Sequence, residues 1–87
     1  MVFEWDGMRY DTTSMKSFNT GTRNEPVIYV TRDGRCVFVQ TMDRSRGVAM
    51  HRASAPEIRR LAQQHGLPEL LQALEGAEDP EACRAKA

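Results

Sequence analysis

Four side chains of the kind that bind metals, Cys36, His51, His65 and Cys83, lie scattered along the chain. None of the pairs has the short C-x-x-C or H-x-x-x-H spacing that closes a zinc site, so no metal and no cofactor is expected. His51 reads instead as a strand residue. His65 falls near a helix C-terminus, where a positive imidazole suits the helix dipole. Nucleophilic catalysis needs a Ser or Cys beside a base, and neither a G-x-S-x-G elbow nor a motif-bound Cys is present. Ser45, between Arg44 and Arg46, is better placed to meet a phosphate than to do acyl chemistry. Gly21, Gly34 and Gly47 are isolated, each with an ordinary turn role, so no phosphate-cradling glycine loop exists. The residues specify no reaction, and a non-enzymatic protein is expected.

Arginine is the one charge feature above background. The chain is neutral, with 12 basic and 12 acidic residues, but residues 31–60 hold seven arginines against three acids. Arg32, Arg35, Arg44, Arg46 and Arg52 are therefore the candidate contacts to phosphate or to an acidic partner. Arg32 and Arg35 flank one turn, whereas Arg44 and Arg46 fall at the other end of the same hairpin, so one continuous patch is not assured. Neutral overall charge counts against nonspecific nucleic-acid binding, which usually accompanies a domain pI above about 9.

The elements that position these residues can be read from turn dipeptides and periodicity. Asp6-Gly7 predicts a type I′ hairpin that pairs Trp5 with Met8, Glu4 with Arg9 and Phe3 with Tyr10, leaving Phe3, Trp5, Met8 and Tyr10 on one apolar face. Residues 12–25 are rich in Thr, Ser, Asn and Gly, and three readings stay open: a binding loop, a mobile stretch, or an edge strand continuing through Phe18. Val27 to Arg32, Asp33-Gly34 and Arg35 to Thr41 predict a second type I′ hairpin with Tyr29 opposite Phe38. Met42 to Gly47 reads as a polar connection, and Val48 to His51 as a third strand. Ser54 and Glu57 form a capping box with Pro56 in the first turn, so a helix is expected over about 55–65, ending at Gly66. Leu67-Pro68 restarts a second short helix with a Leu70, Leu71 and Leu74 stripe. The expected fold is α+β: a small antiparallel β-meander with two Asp-Gly hairpins, then one capped α-helix and a second short helix. Residues 1–76 form the single domain and 77–87 a flexible C-terminal tail.

An 87-residue chain has room for one core. The longest apolar runs, Val27 to Val30 and Cys36 to Val39, are far shorter than the roughly 20 residues that span a bilayer. The first seven residues carry two acids and no basic n-region, which argues against a secretory signal. Two cysteines make a poor disulfide framework, so both are expected as free thiols in a cytoplasmic protein.

The second hairpin makes the strongest physical demand. Ile28, Val30, Val37 and Val39 share one face and Val27, Tyr29, Cys36 and Phe38 the other, so both sides require cover. The helix can cover one. Either the first hairpin covers the other, or a second copy or another protein completes it. Tyr29, Phe38, Val27, Met15 and Phe18 are the candidate protein interface on that second alternative. The leading expectation is a protein–protein interaction module, a regulator, inhibitor or adaptor of bacterial or phage type, with the partner another protein or a second copy. Nucleic acid binding through the arginine-rich segment 32–60 ranks behind it, and an enzyme last.

Overall fold

The computed structural model describes residues 1–19, 26–43, 45 and 47–77. Strands β1 (Val2–Trp5) and β2 (Met8–Asp11) form a hairpin in the expected register, with Trp5 opposite Met8 and Phe3 opposite Tyr10. Asp6 and Gly7 both have positive φ, 52° and 77°, as a type I′ turn requires. A 3₁₀ turn over Thr12–Ser14 then leads into β3 (Lys16–Asn19), which pairs antiparallel with β4 (Val27–Val30). Of the three readings of this region, the edge strand is thus the one adopted by residues 16–19; residues 20–25 lie outside the described residues. β5 (Val37–Asp43) and β6 (Gly47–Arg52) complete a four-stranded sheet ordered β3-β4-β5-β6. Met42 and Asp43, expected in a connection, extend β5 and pair with Val48 and Gly47.

The second Asp-Gly pair makes a different turn from the first. The register survives, with Tyr29 opposite Phe38 and Ile28 opposite Val39, but the strands stop at Val30 and Val37. Asp33 keeps a negative φ, and only Gly34 is left-handed, at 75°. The side chains explain why. Asp33 Oδ1 accepts from Thr31 Oγ1 at 2.7 Å and from the Arg35 N–H at 3.1 Å, while Thr31 Oγ1 accepts from the Cys36 N–H at 3.1 Å. An Asp that bonds its neighbours in this way stabilises a wider turn, closed by the Gly34 N–H donating to Thr31 O at 2.8 Å. Arg32 and Arg35 therefore sit in the loop rather than as a cross-strand pair.

Helix α1 (Ala55–His65) matches the capped span read from Ser54, and buries Ala55, Ile58, Leu61 and Ala62. Half of the capping box is made. Ser54 Oγ accepts from the Glu57 N–H at 3.4 Å, but the Glu57 carboxylate turns to His51 Nε2 at 3.0 Å, fastening the helix start to β6. Ser54→Ala is expected to cost about 0.5–1 kcal/mol, the low end for an N-cap because the bond is long. A thermal melt reads it; an unchanged midpoint would mean that the cap contributes nothing. Beyond α1 the second helix is a 3₁₀ helix, Pro68–Ala73, with Leu70 and Ala73 buried.

The sheet is covered on both sides. Ile28, Val30, Val37 and Val39 pack with Ile58, Leu61, Ala62, Leu70 and Ala73 in one cluster. On the other face Phe38, Cys36 and Tyr10 are the buried residues of a second cluster, with Phe3, Trp5 and Met8 of the first hairpin packed against them. The fold is three layers: hairpin, sheet and helices.

Candidate functional site

The closure of that second face decides the fate of the sequence-derived interface. Phe38 is 0% exposed, with the Phe3 ring at 5.1 Å and the Tyr10 ring at 4.9 Å between centroids. It is a core residue and cannot meet a partner of the folded chain. The first hairpin supplies the cover that the alternating pattern demanded. Tyr29, Val27, Met15 and Phe18 are only half-buried. Tyr29 Oη donates to Gln40 Oε1 at 3.1 Å, Met15 packs on the hairpin-side cluster, and Phe18 packs on the helix-side cluster under Lys16 Nζ, 5.3 Å above its ring. These residues therefore lie on two faces of the sheet and form no single surface.

The arginines divide as well. Arg32 and Arg35 are exposed on the β4–β5 loop. Arg44 and Arg46 lie outside the described residues. Arg52 is half-buried, and its Nη2 donates to the carbonyl of Gly76, tying the segment after the 3₁₀ helix to β6. Arg52 thus has an intramolecular structural task at Nη2. Phe38 is lost as a stacking platform for bases.

Cys36 is disulfide-bonded, which corrects its reading as a free thiol. Cys83 lies outside the described residues. Among the described residues no group of three or more His, Cys, Asp or Glu side chains could hold a metal ion. Among them, too, no helix is long and apolar enough to cross a membrane.

Two surface features went unread in the sequence. The first is the far half of the β5–β6 hairpin. Met42 and Val48 stand opposite each other and are 75% and 45% exposed, and neighbouring Thr41 and Ala49 are exposed too. β6 is the last strand in the sheet order, hydrogen-bonded on one side only. Ala53 N–H donates to Val37 O at 2.8 Å, which by the antiparallel alternation turns the backbone groups of Val48 and Met50 away from β5. From Gly47 to His51 this edge carries no Lys, Arg, Asp, Glu or Pro, the residues that usually guard an edge. The opposite edge, β3, carries Lys16.

The second feature is a half-open cleft of about 510 Å³ at the seam between the first hairpin and the β4–β5 loop. Val2, Tyr10 and Met15 give it apolar lining, while Arg9 and Arg32 bring positive charge and Asp11 negative charge. Asp11 is already engaged. Its Oδ1 accepts the Thr13 N–H at 3.0 Å, which with the nearby N-terminal amine at 3.8 Å and the Arg9 charge holds the carboxyl below its ordinary value of 3.8. Arg9 and Arg32, far apart in sequence, are brought together only by docking of the hairpin, so no spacing rule could have joined them. Arg32 also borders a smaller cleft of about 260 Å³ with Lys16, Phe18 and Glu69.

Comparison with known proteins finds no matching family, no similar curated protein and no similar solved structure.

Proposed function

We propose that this chain is a non-enzymatic protein–protein interaction module, and that it engages its partner by strand addition along β6. The observation that carries this reading is the outer edge of β6, hydrogen-bonded on one side only and free of Lys, Arg, Asp and Glu from Gly47 to His51, with Met42 and Val48 exposed beside it. An added strand would satisfy the outward N–H and C=O groups of Val48 and Met50, and its side chains would cover the exposed pair on the sheet face. The partner strand belongs to a second copy or to another protein, and the chain acts as a regulator, inhibitor or adaptor by occupying that partner. No specific observation favours nucleic acid: with Phe38 buried and Arg52 turned to Gly76, the aromatic and basic groups that would serve it are reduced.

Sedimentation across a concentration series, followed by nuclease-treated affinity capture, tests the reading. Wild type is expected to self-associate or to retain a protein. The Val48→Lys/Met42→Glu variant is expected to lose at least about ten-fold in affinity while keeping its thermal midpoint, because both positions are exposed and a charge on an edge opposes pairing. A strict monomer that retains no protein, or a variant that associates as wild type does, sinks it.

A further inference from the structure

The cleft between the first hairpin and the β4–β5 loop lies towards the β3–β4 side of the sheet, away from β6 in the strand order. Its volume falls in the range of small-molecule sites, roughly 300–1,000 Å³. Its lining has the composition of such sites, since the apolar surface of Val2, Tyr10 and Met15 lies beside few charged groups. Those charges have a direction. Neither Arg9 nor Arg32 comes within ion-pair distance of a carboxylate among the described residues, and the one carboxylate of the lining, Asp11, accepts from the Thr13 N–H, faces the N-terminal amine and feels the Arg9 charge, so cations outnumber it. Two guanidinium groups set against one already engaged carboxylate, beside an apolar wall, make a receptor for a planar or tetrahedral anion attached to a hydrophobic body. An isolated surface arginine would be solvated and indifferent. These two line one concavity together, although Arg9 belongs to β2 and Arg32 to the loop after β4.

We propose that this cleft binds a small organic anion, a carboxylate or phosphate monoester on an apolar body, with Arg9 and Arg32 holding the anionic group and Tyr10 and Met15 contacting the body. The site is independent of strand addition at β6, and its failure would leave that reading untouched.

The experiment is an amide-shift titration of the isotopically labelled full chain with benzoate, phenyl phosphate, inorganic phosphate, benzyl alcohol and benzylamine. Benzoate or phenyl phosphate should move the amides of Arg9, Tyr10, Met15, Thr31 and Arg32 saturably, and which of the two binds tighter separates carboxylate from phosphate. Benzyl alcohol and benzylamine, which lack the anion, and inorganic phosphate, which lacks the apolar body, should each bind at least about ten-fold more weakly. Arg9→Gln/Arg32→Gln should weaken the preferred anion by about ten-fold or more with the remaining spectrum unchanged. Arg35→Gln, on the same loop but outside the cleft, should leave binding unaltered. The proposal is overturned if neither anion binds saturably, if benzylamine binds as well as the anions, or if the shifts spread equally to Arg35, Arg59 and Arg60. A double variant that binds as wild type does also overturns it.

Discussion

Phe38→Ala is expected to lower the unfolding free energy by about 3–5 kcal/mol, the largest loss of any single truncation on the hairpin side of the sheet. Phe38 is 0% exposed and its ring contacts those of both Phe3 and Tyr10, which come from different strands of the first hairpin. Removing the ring leaves a cavity between two layers and deletes two aromatic contacts, each worth roughly 0.5–1.5 kcal/mol beyond area burial. A domain of this size has only about 5–15 kcal/mol in total. Urea denaturation measures the loss. The chain has a single tryptophan, Trp5, packed against the same cluster, so the variant should also show red-shifted Trp5 emission as the hairpin loosens. A loss below about 1 kcal/mol with unshifted emission would mean that the hairpin is held elsewhere.

The same residue shows how much of this molecule was legible beforehand. Both hairpin registers follow from alternation, because a slip of one residue would exchange the Ile28 and Tyr29 faces. The start of α1 follows from Ser54 and Pro56 and its end from Gly66, local signals that need no tertiary contact. Alternation also showed that the face bearing Phe38 needed cover, but it could not choose between intramolecular and intermolecular cover, since burial has no direction in sequence. The Asp33-Gly34 turn was misread because its type depends on where the Asp33 and Thr31 side chains bond. The Cys36 disulfide escaped because so few cysteines carry no framework signal in the sequence. Arg52 was grouped with other arginines by charge, whereas its carbonyl partner is 24 residues away. The cleft of Arg9 and Arg32 was illegible for the same reason: it exists only after the hairpin docks.

Leu70→Ala is expected to cost about 2–5 kcal/mol, whereas Leu71→Ala, one residue on, should stay within about 0.5 kcal/mol of wild type. An α-helical stripe would place Leu70, Leu71 and Leu74 together on the buried side. A 3₁₀ helix has three residues per turn, so residues i and i+3 share a face, and here Leu70 and Ala73 are 0% exposed while Leu71 is 45% exposed. The segment has little to hold it besides that burial. Its first residue is a proline, its N-cap makes no side-chain hydrogen bond, and Leu74 and Ala77 donate to Leu71 and Leu74 at 3.2 and 3.3 Å. Short 3₁₀ segments with such bonds are not stable on their own, so the anchoring falls to Leu70 against the β4–β5 face and α1. Loss of Leu70 should therefore speed amide exchange at Leu74 and Ala77 more than within α1, in addition to lowering the urea midpoint. If Leu71→Ala costs as much as Leu70→Ala, the segment is α-helical in solution and its stripe is the one read from the sequence.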